Sequence, residues 1–250
     1  MRRRVIAHRG HSVGAPEQTL LAYGLAIELG ADMIEADLRF SRDGVGVMLH
    51  DARVDRTTNG RGLVSDIDWA DIARLDAGIR FSPQTAGQRV PRLEELFELA
   101  EERGVALCIE AKGDRHDENL HAALTAAREI ARRGRLERDV VASFDHRALA
   151  EAAAAVPGLR TAPDRLPERG PSLARDLIAQ AKAARAAIIQ HHFADLAARV
   201  VAEVQAAGIE VWAWPPASLE EARFAFDSGA IGLMGDDVAA IARVVAPGAD

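Results

Sequence analysis

Along its whole length this 250-residue chain alternates short apolar runs with longer amphipathic segments, and that rhythm predicts repeated β/α units around a parallel sheet. Nine runs read as strands: residues 5–8, 33–38, 45–49, 107–111, 140–143, 159–162, 187–190, 209–214 and 231–234. Only Phe40-Ser41-Arg42-Asp43-Gly44 separates the second from the third, and Asp-Gly between alternating runs signals a hairpin, not a helical crossover. With that antiparallel excursion set aside, the remaining strands suffice to close a TIM (β/α)8 barrel, and the chain has the usual length for one. Several helices should stop at glycine, whose freedom at positive φ suits a helix C-terminus: residues 19–29 before Gly30, 93–103 before Gly104 and 196–207 before Gly208.

Two stretches break the rhythm. Residues 52–89, rich in Gly, Asp, Thr and Arg, are long for a connection in a compact domain. They read as a small insertion subdomain over the barrel mouth, with a short helix at 68–75. Residues 163–171 read as a second, shorter loop. No linker divides the chain, so residues 1–250 are expected to form one barrel domain.

The net charge of −7 argues against a nucleic-acid partner, because such a surface repels phosphate backbones. The basic cluster Arg2-Arg3-Arg4 is followed by only Val5-Ile6-Ala7 before His8, too short for the apolar stretch of a signal peptide. No run of about 18 apolar residues occurs, so no membrane insertion is expected. A single cysteine, Cys108, excludes an intrachain disulfide and a Cys-based zinc cluster. A cytoplasmic location is expected, and a homodimer is left open.

Residues two apart on a strand share a face, so Glu35 and Asp37 in Met33-Ile34-Glu35-Ala36-Asp37-Leu38 project together, into the barrel. Leu107-Cys108-Ile109-Glu110-Ala111-Lys112 repeats the pattern, adding a carboxylate and an ammonium. Carboxylates inside a barrel are costly to desolvate without a cation. Three of them without cysteine suit a hard divalent ion, Mg²⁺ or Ca²⁺, with Mn²⁺ a further candidate. An antiparallel sheet would let the same acids face solvent, but the β/α rhythm argues against one.

His8 and Arg9 end the first strand at Gly10, the edge where the catalytic groups of such barrels sit. The returning arm of the hairpin brings His50-Asp51 back to the carboxylates. Imidazoles exchange protons near neutral pH, and a cation with Arg9 and Lys112 can neutralise a phosphate. The set describes phosphodiester cleavage. His11, His116, His121 and His146 have no such placement and are assigned structural roles. His191-His192 follows the sixth barrel strand at the same edge, which makes His192 a candidate substrate contact. Trp212 and Trp214 are read as divided between the barrel interior and the helices, with Trp212 a packing residue. Cys108 is read as a small hydrophobe on the face opposite the site.

These motifs resemble the glycerophosphodiester phosphodiesterase family. The likeness is carried by Ala7-His8-Arg9-Gly10, Ala15-Pro16-Glu17-Gln18-Thr19, Gly30-Ala31-Asp32, Ile34-Glu35-Ala36-Asp37, Asp43-Gly44, Leu49-His50-Asp51, Arg56-Thr57-Thr58 with Gly60, and Ile109-Glu110-Ala111-Lys112. The resemblance implies Glu35, Asp37 and Glu110 as metal ligands and His8 and His50 as the acid/base pair. It further implies Arg9 and Lys112 as phosphate-binding cations, Glu17 as a supporting group and Trp214 as the family's tryptophan. Departures are Gln18 for the usual Asn, Pro215-Pro216-Ala217 for Thr-Val-Asn, and Met234-Gly235-Asp236 for Ile-Thr-Asp. They bear on substrate fit more than on reaction type.

The expected activity is metal-dependent hydrolysis of a small-molecule glycerophosphodiester to glycerol 3-phosphate and an alcohol. In related enzymes the glycerol 2-hydroxyl can attack first, with His8 as acceptor and His50 as donor, to give a cyclic phosphate that water opens. The competing readings are a lysophospholipase D-type enzyme, which would need an apolar groove, and a barrel that binds a phosphorylated metabolite without turnover.

Overall fold

In the computed structural model, which describes residues 2–165 and 173–245, the apolar runs form nine strands among the described residues. They are β1 (Arg4–His8), β2 (Met33–Phe40), β3 (Gly46–Met48), β4 (Ala106–Ala111), β5 (Val140–Ser143), β6 (Arg160–Arg165), β7 (Ile188–His192), β8 (Glu210–Trp214) and β9 (Gly232–Gly235). All but β3 are parallel neighbours, and β1 pairs with both β2 and β9, which closes the sheet into the expected TIM barrel. The Asp43-Gly44 signal is the hairpin: Gly44 takes φ +82°, and Leu38, Arg39 and Phe40 face Met48, Val47 and Gly46 across an antiparallel ladder.

Strand alternation sorts the core into two layers. On each strand the residues of one parity, among them Ala7, Ile34, Ala36, Leu107, Ile109, Val141, Val211 and Ala213, pack outward against the helices. Their neighbours Ile6, Met33, Cys108, Val140, Ala142, Ala162, Ile188, Trp212 and Met234 fill the barrel. Two expectations are corrected by this parity. Trp214 packs on the interior cluster that contains Trp212, so both indoles share the inner face, as residues two apart must. By the same rule Cys108 lies on the same inner face as Glu110, one layer below it, although it remains a fully buried small residue.

The helix Leu20–Glu28 is capped by the Thr19 side chain, which accepts from the Ala22 N–H. The helix Leu93–Arg103 ends at Gly104 with φ +67°, as its sequence predicts. The helix Ala198–Ala206 starts later than expected because Leu196 and Ala197 are extended after a short 3-10 turn at Phe193–Asp195. β6 also runs further than expected. Pro163 lacks a ladder donor, yet Asp164 and Arg165 continue the pairing with Gln190 and His191 of β7. Residues 163–165 are therefore strand, and 166–171 of the expected loop lie outside the described residues.

Residues 52–89 form no barrel strand. They fold around a small apolar cluster of Val54, Val64, Ile72 and Ala77 on Val47, Leu49 and Val90. Their helix is short, Trp69–Ile72, between 3-10 turns at Val64–Asp66 and Pro83–Thr85.

Candidate active site

At the end of β1 the chain turns sharply, with Arg9 at φ +58° and Gly10 at φ +87°. A Cβ on Gly10 would lie 2.6 Å from the Ala22 carbonyl carbon, so only glycine lets this turn pass the first helix. The turn aims the Arg9 N–H at Glu35 Oε2, 3.0 Å away, and its guanidinium at Glu17 Oε1 (3.1 Å) and Asp37 Oδ2 (3.2 Å).

Parity places the acids as the sequence predicts. One oxygen each from Glu35, Asp37 and Glu110 lies within 4.8 Å of the other two, all three residues being buried. Lys112 closes one side, with Nζ 3.1 Å from Asp37 Oδ1 and 2.6 Å from Glu110 Oε1. On the other side Gln18, itself at φ +58°, donates from Nε2 to Asp37 Oδ2 at 2.6 Å and accepts from the buried Tyr23 hydroxyl. The longer amide at the family's usual Asn is thus braced by a second hydrogen bond. Glu35 Oε1 is buried and has no hydrogen-bond partner. An orphaned carboxylate oxygen among three hard donors fits a divalent cation.

Both candidate histidines are oriented through Nδ1: His8 to Asp236 Oδ1 and His50 to Asp51 Oδ1, each at 2.7 Å. Each carboxyl is held below the usual range, Asp51 first by the Arg56 hydrogen bond and Asp236, against its burial, by His8. An ionised carboxylate only accepts, so Nδ1 carries a proton in both rings and Nε2 is left for another partner. Arg56 reaches Asp51 (2.7 Å) and also Glu17 (2.6 and 2.8 Å), which in turn holds Arg9. His50, Asp51, Arg56, Glu17, Arg9 and Asp37 thus form one continuous polar chain.

On the far wall Trp214 meets Phe144 and His192 edge-on, with centroids 5.8 and 5.6 Å apart, and Lys112 Nζ sits 5.7 Å from the Phe144 ring centre. His192 Nδ1 accepts from the Ala194 N–H at 3.3 Å. Each of the other histidines has a partner: His11 accepts from the Val238 N–H, His116 pairs with Asp145, His121 lies tilted against the Phe40 ring, His146 contacts the Asp164 carbonyl, and His191 Nδ1 lies 3.1 Å from the His192 carbonyl.

Sequence reasoning missed Asp51, Arg56, Asp236 and Gln18 as functional partners. All four stand in segments that carry or border the family likeness, and what the sequence does not show is their pairing. Asp236 lies far along the chain from His8 and meets it only because the barrel closes.

Burial raises the acids and the nearby cations lower them, with different winners. Burial outweighs Lys112 at Glu110, which rises to about 7, and burial with Asp37 and Glu110 pushes Glu35 well up. Asp37 is also buried, but Lys112 and Arg9 overcome that and bring it down to about 2. Burial, together with Lys112 and Arg9, lowers His50. An unfolded glutamate titrates near about 4.3. Without a cation the folded state therefore binds the Glu110 proton more tightly, a contribution complete below the unfolded pKa and lost as pH rises through about 7. The thermal midpoint of cation-free protein should fall between about pH 5 and about pH 8, and Mg²⁺ or Ca²⁺ should restore it at the upper end by binding the folded state. Calorimetric melts across that range check this, and a midpoint that ignores both pH and cation would contradict it.

No helix among the described residues is long and apolar enough to cross a membrane. The model of the glycerophosphoryl diester phosphodiesterase family matches residues 8–240. A glycerophosphodiester phosphodiesterase of Caldanaerobacter subterraneus subsp. tengcongensis is 42% identical over 161 residues, 64% of this chain and 65% of that protein. The structure of an Oleispira antarctica phosphodiesterase in complex with the product sn-glycerol-3-phosphate superposes with a TM-score of 0.84 at 26% identity, covering 97% of this chain and 96% of the other. A glycerophosphodiester phosphodiesterase from Agrobacterium tumefaciens superposes with a TM-score of 0.80 at 27% identity, covering 97% and 99%. The chain aligns with less than two thirds of the length of the first curated relatives, 65%, 44% and 34%.

Proposed function

The chain belongs to the glycerophosphoryl diester phosphodiesterase family, and from that premise we propose that it hydrolyses glycerophosphodiesters to glycerol 3-phosphate and an alcohol. The single observation that carries the reading is the convergence of three buried carboxylates beside two histidines that are each oriented by an aspartate. Glu35, Asp37 and Glu110 would hold one divalent cation. Once bound, it would supply charge neutralisation at a phosphoryl oxygen.

The chain's own groups do the rest. Arg9 and Lys112 offer fixed positive charge to the phosphate, and their carboxylate partners hold both in place before substrate arrives. His8, with Nε2 free, accepts the proton of the attacking hydroxyl, and His50 donates to the departing alkoxide. Asp51, bonded to Nδ1, stabilises the His50 imidazolium that the donor role requires, against the burial that disfavours it. Glu17, with its oxygens engaged by Arg9 and Arg56, acts by positioning those arginines. Trp214 and His192 line the wall against which the substrate lies. A single barrel domain carrying residues 52–89, and a cytoplasmic location, belong to the same proposal.

The test is turnover on a panel of glycerophosphodiesters and lysophospholipids with Mg²⁺, Mn²⁺ or Ca²⁺, before and after chelation. Glycerophosphodiesters should turn over only with cation present. Glu35→Gln should weaken cation binding, read by titration calorimetry, by more than the roughly 10–100-fold typical of losing an outer-shell partner. Cation binding without turnover of any diester would leave a binding barrel in place of an enzyme.

A further inference from the structure

The wall across the barrel from β2 and β4 holds polar groups that the reaction above leaves unused. Asp164 lies on β6 two residues beyond Ala162, which packs inside the barrel, so its side chain takes the same inner face. It is 6% exposed, and its Oδ2 is buried without a hydrogen-bond partner. Its register neighbour on β7 is Gln190, whose amide crosses the interior to Cys108 Sγ at 3.7 Å and whose Oε1 is also unpaired. Nearer the mouth, Trp214 Nε1 is a buried donor without a partner. A buried carboxylate oxygen left unpaired is costly, and such a group persists where a ligand supplies the missing donor.

Taking the phosphodiesterase reading as its basis, we propose that Asp164, with Gln190 and Trp214, forms a subsite for the free terminal hydroxyl of the substrate's glycerol moiety. Asp164 thereby makes that terminal hydroxyl a determinant of kcat/KM. A hydroxyl both donates and accepts, matching an acceptor carboxylate and an indole N–H on one wall, whereas an ammonium head group would meet the indole donor unfavourably. Asp164 also lies within electrostatic reach of Glu110, Lys112 and Asp37, and so beside the half of the substrate that must sit at the reacting phosphorus. An acyl ester at the same oxygen has no proton to give. It would press an apolar chain against the carboxylate and leave the carboxylate unpaired, and sites built to bond a hydroxyl reject analogues of that kind strongly.

The experiment compares kcat/KM for sn-glycero-3-phosphoethanolamine with that for its 1-deoxy analogue, the propane-1,2-diol ester, which keeps the 2-hydroxyl. The wild-type protein should prefer the former by about 100-fold, the scale of leaving a buried polar group unpaired. In Asp164→Ala the ratio should collapse to within about threefold, and Asp164→Asn, which keeps an acceptor oxygen, should lie between. If the alanine variant does not fold, the asparagine variant carries the comparison. A wild-type ratio near one, an unchanged ratio in the variants, or an equal fall on both substrates would overturn the subsite. Failure of the wild-type protein to turn over either diester with cation present would instead overturn the activity on which it rests.

Discussion

Replacing His50 by alanine should lower kcat on glycerophosphocholine by about two to four orders of magnitude, and His8→Ala should do the same, the scale of losing a general acid or base. Neither change should unfold the protein. His50 is one third exposed in its side chain and its ring contact is with Asp51, so no core packing depends on it. KM should move less than kcat, because Arg9 and Lys112 still hold the phosphate. Asp236→Asn and Asp51→Asn test the same arrangement one step back. An amide can donate to Nδ1 and so favour the wrong tautomer, which should lower kcat while leaving cation affinity intact. A His8→Ala or His50→Ala variant with near wild-type turnover would have to be reassigned as structural.

The barrel was legible because its evidence is periodic. Ile34, Ala36 and Leu38 against Glu35 and Asp37 fix which face of β2 looks inward, and β4 repeats the pattern with Ile109 and Glu110. The same parity, applied without exception, would have placed Trp214 with Trp212 and Cys108 beneath Glu110. At both positions strand parity, not residue type, decides the face. Pro163 misled for a comparable reason: proline usually ends a strand, but here the next two residues still pair with β7.

What composition and spacing could not show were the partnerships made by closure. Asp236 meets His8 because β9 lies beside β1, and Arg56 joins Glu17 to Asp51 because residues 52–89 fold back over their own small cluster. Asp164 was harder still, since it sat in what read as a loop. Only the extension of β6 turns it into an interior residue.

The second large effect concerns the nucleophile. A glycerophosphodiester should react at least about 10³-fold faster than its 2-deoxy analogue, because a hydroxyl held against phosphorus makes attack intramolecular, and effective molarities for such reactions reach about 10⁵–10⁸ M. The protein's contribution to that advantage is positional. Glu35, Asp37 and Glu110 gather at one end of the barrel, Arg9 and Lys112 sit among them, and His8 is locked by Asp236 with Nε2 free to take the hydroxyl proton. Attack by an external water would need no substrate hydroxyl, so the deoxy analogue would lose little beyond weaker binding. Phosphorus NMR distinguishes the routes, since the internal one passes through a cyclic phosphate. Comparable kcat for the two substrates, with no cyclic species at any time, would remove the internal route. It would leave untouched the carboxylate cluster and both histidine dyads, which serve either nucleophile equally well.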